Sequence, residues 1–277
     1  MTLSERNTVF KAGIAFSSLC LLICIAASVK AIPAYASMEA EIARYSGGVF
    51  QALARNFFSV RLLAAHCCIA FMALYSFFSI FFIYRSFEKT QSPEIIFIVF
   101  FAASFSPEAL RLVLPLGQVY NIPSMYLLMA SRIILFSRYF GIFSLFAASV
   151  YAVGFMAQKQ RSVTMILVVT TMVIALGVPI DTQTWDSSLN MINGYTSMFR
   201  LIGIGTFLIA TITFFIAAWS RGSHEFVSIG TGSVLAFLGR NILLSADTWA
   251  GPPAGLLALA AGTWLICTNL HKVYLWL

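Results

Sequence analysis

Glu108, Arg111, Arg132, Arg138, Arg200 and Arg240, with Asn241 beside the last, all fall within apolar stretches of this chain. A charge placed in hydrocarbon costs roughly 2.5–3.5 kcal/mol on insertion scales, so each of them needs a physical reason to be there. Arginine keeps its proton at any accessible pH and presents a planar fork of donors to a carboxylate or phosphate. Arg111, Arg132, Arg200 and Arg240 have one intramembrane carboxylate near them, Glu108, while Asp181 and Asp247 lie in loops. Positive charge is therefore left over for an anion from outside the chain, and the ligand expected is an acidic small molecule or a lipid headgroup. The competing reading is that the guanidinium groups reach outward to lipid phosphates, which Arg200 does most easily.

Spacing refines the set. Glu108 and Arg111 are three residues apart, share a helix face and can pair within one span. Pro107 precedes them, lacks an N–H and frees the carbonyl of Ala103, so a kink is expected there. Such irregular backbone at membrane depth is tolerated where it packs on protein or lines a cavity. Arg132 and Arg138 are six residues apart and point in different directions, so both are not expected to face one pocket unaided.

The elements that must position these residues are membrane spans. Of the 277 residues, 60% are hydrophobic and 10% charged, against roughly 25% charged in a soluble domain. The apolar residues come in runs of about 20, the length that crosses a ~30 Å hydrocarbon layer at 1.5 Å per residue. Eight spans are expected, near Lys11–Ile32, Leu62–Tyr84, Ile95–Leu116, Met125–Met156, Thr164–Ile180, Met198–Ser220, Phe226–Leu244 and Ala254–Leu270. Backbone groups in hydrocarbon must pair within their own segment, and the pattern lacks the alternation of a barrel, so the spans are helices. The fold class expected is an all-α polytopic bundle of eight spans, or seven if the first is a cleaved signal, with both termini inside.

Orientation follows from Lys and Arg. With the N-terminus inside, Arg6, Lys11, Arg85, Lys89, Lys159, Arg161, Arg221 and Lys272 are cytoplasmic. The opposite short loops, 117–124, 181–197 and 245–253, carry no Lys or Arg, which is the positive-inside asymmetry of a cell (inner) membrane protein. The longer outer loop over 33–61 is the exception, with Arg44, Arg55 and Arg61. The site arginines then gather in the outer half of the bundle, where that asymmetry should deplete them. The division expected is a signal-anchor-like first span over 1–32, an outer loop over 33–61 and a seven-span bundle over 62–277. Ala34-Tyr35-Ala36 before Ser37 imitates a signal cleavage site, but the apolar stretch is long and Lys30 interrupts it, which favours an uncleaved anchor. The segment 38–58 has helix-like apolar spacing and is expected to lie flat on the outer surface.

Other chemistries lack their residues. The net charge of +7 comes with no basic run or RNA-binding signature, so no nucleic acid is expected and the excess is read as topology. His66, His224 and His271 are scattered, and no haem, zinc, di-iron, magnesium-aspartate or nucleotide motif occurs, so no metal or cofactor is expected. The five cysteines lie inside apolar segments and read as packing residues. Gly203-x-Gly205, Gly230-x-Gly232 and the small residues from Ala254 to Gly262 permit close backbone approach between late spans. No catalytic residue is assigned. The function expected is a receptor-like or accessory membrane protein that binds an anion through Glu108, Arg111, Arg132, Arg138, Arg200, Arg240 and Asn241. Its partners would be membrane lipids, an anionic ligand and a protein in the membrane or cytoplasm. An anion transporter subunit and, last, a lipid-modifying enzyme are the alternatives.

Overall fold

The computed structural model of the chain describes residues 3–42, 62–88, 92–113 and 122–275. Among them, eight helices are long and apolar enough to cross a bilayer, and the chain is a multi-pass membrane protein built as an all-α bundle. The helices are α1 (Leu3–Ile42), α2 (Leu62–Phe87), α3 (Glu94–Ala103), α4 (Ser124–Ala152), α5 (Gln160–Gly177), α6 (Thr196–Arg221), α7 (His224–Ser245) and α8 (Gly251–Leu275), and the third span is α3 together with the 3₁₀ helix that follows it, Glu94–Leu112. They match the eight expected spans and run a few residues further at most ends. Helix α1 exceeds its expected span more widely, continuing unbroken through Lys30 and Pro33 to Ile42. The expected surface helix over 38–58 therefore begins as a continuation of α1, and its remainder lies outside the described residues. Arg61 lies outside them too.

The third span is the centre of the bundle. It packs against α1, α2 and α4, and 83% of its most apolar window is buried, against 22% for the first and fifth spans. Pro107 does more there than kink the helix. Helix α3 stops at Ala103, a turn follows, and Ser106–Leu112 forms a 3₁₀ helix with the proline at its start. A residue without an N–H cannot extend the α-helical ladder, and the tighter 3₁₀ turn accommodates it. The break packs on α4 at Gly141, where a Cβ would stand 2.2 Å from the Ser104 hydroxyl. Only glycine admits that approach.

Around this centre, α1 packs on α2, α2 on α8, α8 on α7, α7 on α6, and α6 on α4, with α5 outside on α4. The α7–α8 pair is the closest. A Cβ on Gly239 would sit 2.5 Å from the Leu259 nitrogen, and one on Gly262 would sit 2.5 Å from the Ala236 nitrogen. Of the small residues read from sequence as close-packing positions, Gly232, Gly255 and Gly262 meet backbone across this pair, whereas Gly203 and Gly230 face side chains and a Cβ on Gly205 would meet none of the described residues within 4 Å. Close backbone approach is what holds hydrocarbon-embedded helices together when no hydrophobic effect does.

The loop over 181–197 is not irregular. Strands β1 (Ile180–Trp185) and β2 (Met191–Asn193) form an antiparallel hairpin. Its turn is closed by the Asp186 N–H donating to the Asn190 carbonyl at 2.8 Å. The Asp186 carboxylate accepts the N–H groups of Ser188 at 3.0 Å and Asn190 at 2.8 Å. Leu189 sits in the left-handed region with φ 60° and is completely buried. The hairpin tip is therefore pushed into the bundle rather than lying over it.

Candidate functional site

Glu108 is carried on the 3₁₀ helix, and the proline break turns it toward α4. Arg138, near the middle of α4, donates through Nε to Oε1 and through Nη2 to Oε2 of Glu108, both at 2.6 Å. This two-pronged pairing is the strongest geometry a guanidinium and a carboxylate can adopt. Arg111, the partner suggested by spacing, reaches the same carboxylate more weakly at 3.4 Å. Its other contacts are carbonyls: it donates to that of Ser188 in the hairpin turn and to that of Leu244 on α7 at 3.4 Å. Glu108 and Arg111 are each 1% exposed, so the pair belongs to the packed interior. Arg111 ties the hairpin tip to the bundle and is removed from the open part of the site.

Arg132 also departs from the expected set. Its Nη1 donates to the carbonyls of Ala175 at 3.2 Å and Leu176 at 2.5 Å, at the last turn of α5. The terminal carbonyls of a helix lack internal partners, and a positive charge there also meets the negative end of the helix dipole. Arg132 therefore caps α5 and faces away from Arg138, as their six-residue separation implies.

The remaining residues converge. Arg138, Arg200, Arg240 and Asn241 line one cavity of about 690 Å³ between α4, α6, α7 and the hairpin. Arg240 is 5% exposed, and its Nη2 donates to the Arg138 carbonyl at 3.0 Å. That carbonyl is its one hydrogen-bond acceptor among the described residues. The Arg200 guanidinium and the Asn241 amide have no hydrogen-bond or ion-pair partner among the described residues. Arg200 is exposed, whereas Arg240 lies deeper in the wall.

Electrostatically, the deep layer holds Arg111, Arg138 and Arg240 around the single carboxylate of Glu108. Asp186 and Asp247 stand at the mouth, where each carboxylate accepts hydrogen bonds from uncharged donors. Asp186 accepts the two turn N–H groups, and Asp247 accepts the Ser187 hydroxyl at 2.6 Å. Water screens charges at the mouth far more than those in the wall.

Several lining residues carried no sequence signal for this role. Asn190 accepts from Arg138 Nη2 at 2.6 Å through Oδ1 and donates to the Leu244 carbonyl at 3.4 Å. Ser188 donates its hydroxyl to the Ser245 carbonyl at 3.0 Å. Tyr139 and Phe199 form one wall, with ring centroids 5.7 Å apart. The run Asp186-Ser187-Ser188 is a recognisable turn sequence. Nothing local says, however, that the turn docks on Arg111. Among the described residues no group of three or more His, Cys, Asp or Glu is arranged to hold a metal. Set against known protein families, curated proteins and solved structures, the chain matches none of them.

Proposed function

We propose that this membrane protein binds an anionic ligand in the cavity beneath the hairpin, with Arg240 and Arg200 as the groups that grip it and Asn241 as a further donor. The observation that carries the reading is the state of Arg240. It is buried, it faces the cavity, and a single backbone carbonyl is its acceptor, while the nearest carboxylate is already held at both oxygens by Arg138. A buried charge without its own counter-ion is costly unless something else supplies the negative charge. The Arg138 carbonyl, fixed by the α4 backbone, orients Arg240, while the Arg138 side chain is occupied by Glu108 and Asn190. Arg111 and Arg132, bound to protein carbonyls, stay outside the ligand set.

The role best supported is receptor-like or accessory binding rather than passage. Below the arginines the wall closes: Phe237 stacks on Phe207 with centroids 3.7 Å apart, and Gly203 stands with its Cβ position 3.4 Å from Ile142. Glu108 lies behind Arg138 and does not line the cavity, so it is poorly placed for acid–base work on a bound molecule.

The test is direct binding to purified protein in phosphatidylcholine nanodiscs, with inorganic phosphate, acetate and citrate as probes. Saturable binding of at least one is expected. Arg240→Gln should weaken it by on the order of tenfold or more, the loss of a hydrogen bond to a charged group, and Arg200→Gln should weaken it as well. Arg132→Gln should leave it unchanged. Equal binding by wild type and both cavity variants, at equal thermal stability, would defeat the proposal. Phosphate flux into proteoliposomes that Arg240→Gln abolishes would replace the receptor-like role with transport.

A further inference from the structure

The cavity is far larger than a small inorganic anion needs. A water molecule occupies about 30 Å³ of liquid, so 690 Å³ is room for roughly twenty of them and falls in the range of organic-ligand pockets, ~300–1,000 Å³. The polar part of its lining stops at the arginine layer, whereas apolar residues, Leu135, Phe199 and Leu244 among them, line it at every depth. Counted along the helices from the hairpin end, Ser245 and Thr196 come first, then Asn241, Arg240 and Arg200, and then Phe237, Gly203 and Ile204. On α4 the same order appears, with Arg138 followed one turn later by Ile142. A purely polar ligand would occupy the arginine layer and leave the apolar floor in contact with trapped water, which is unfavourable.

We infer that the cavity takes an anionic amphiphile: a single oxyanion at Arg200 and Arg240, joined to an apolar chain that lies on the floor formed by Ile142, Gly203, Ile204 and Phe237. The inference rests on the anion-binding reading above and adds the apolar half of the ligand. Polar head toward the hairpin and apolar part toward mid-bundle is also how a lipid stands in the adjacent leaflet. Ile204 lines the cavity while 41% exposed, and its neighbours on the same helix, Leu201 and Leu208, are exposed as well. The α6 wall is therefore where the cavity borders the acyl region. The shared chemistry is an alkyl phosphate or carboxylate, supplied either by the bilayer as a lipid or from the aqueous side as a free amphiphile.

A chain-length series tests this on the intact protein in phosphatidylcholine nanodiscs. Inorganic phosphate and butyl, hexyl and octyl phosphate are titrated against wild type, Arg240→Gln and Gly203→Leu. Each methylene buried is worth about fourfold in affinity, so a steep rise with chain length is expected in wild type. Arg240→Gln should lower the whole series. Gly203→Leu, which fills the floor, should flatten the rise, bringing the affinity for octyl phosphate down toward that for inorganic phosphate. Competition of octyl phosphate by phosphatidic acid placed in the nanodisc identifies the bilayer as a source, and its absence identifies the aqueous side. Equal affinity for phosphate and octyl phosphate, both weakened by Arg240→Gln, would remove the apolar half and leave the anion site standing. A chain-length rise that persists unchanged in Arg240→Gln would reflect partition into the lipid and overturn the inference. Failure of every probe to saturate would overturn the anion site with it.

Discussion

Glu108 holds the deep layer together because it is the one carboxylate there for three guanidinium groups. Both of its oxygens are taken by Arg138 at 2.6 Å, and Arg111 approaches at 3.4 Å. Removing the negative member of such a cluster costs more than the pair contributes, since the positive members are left uncompensated in a low-dielectric interior. Glu108→Gln keeps the shape but removes the charge and puts an NH2 donor where one of the two acceptor oxygens stood. It is expected to destabilise the protein by about 3–5 kcal/mol, the range for breaking a buried pair. Arg132→Gln, which removes only a helix cap, should cost about 1 kcal/mol, as lost caps do. Thermal denaturation in detergent, followed by tryptophan fluorescence, measures both. An effect of Glu108→Gln no larger than that of Arg132→Gln would show that the deep layer is not held by this charge. The importance of Glu108 is legible in the sequence as a carboxylate inside a span. Its partner is not: the i,i+3 spacing nominates Arg111, whereas the break at Pro107 swings the carboxylate toward Arg138, thirty residues on.

Hairpin β1–β2 is the element that closes the site. Its tip contributes Asn190 and Ser188 to the lining, receives Arg111, and buries Leu189 in an unfavourable left-handed conformation. Backbone strain of this kind costs ~1–3 kcal/mol and persists only where surroundings enforce it. The burial of Leu189 and the paired N–H groups on Asp186 supply that enforcement. Leu189→Ala should therefore destabilise by about 2–5 kcal/mol, the range for truncating a buried leucine, and should loosen the hairpin before the bundle. Hydrogen exchange is expected to rise across 180–193 while the glycine-packed α7–α8 pair stays protected. Uniform exchange gain over both regions would mean that the tip is not a separate plug. The spans themselves are readable from sequence because a hydrocarbon layer imposes length and apolarity on each one locally. Their packing order is partly readable, since small residues mark the α7–α8 contact. The hairpin is not readable, because its sequence is short, polar and ordered only by the arginine and the core it touches.

At the scale of the molecule, the two ends of the bundle differ in kind. At the end carrying the N-terminus, polar groups lock helices together: Arg6 donates to the Phe87 carbonyl at 2.6 Å, and Tyr274 donates to Glu94 at 2.6 Å. At the other end the polar groups surround a cavity. By the positive-inside rule the first end is expected in the cytoplasm, and the cavity is then expected to open away from it. Accessibility of single cysteines checks this. Ser187 in the hairpin turn and Lys159 before α5 are both exposed; four of the five native cysteines are buried and Cys67 is half-buried, so the labelling is read on a Cys67→Ser background. In intact cells, a membrane-impermeant maleimide is expected to label Ser187→Cys at once and Lys159→Cys only after permeabilisation. The reverse pattern would place the cavity on the cytoplasmic side. An anionic ligand would then have to come from within the cell, and the basic residues at the opposite end would stand against the positive-inside rule.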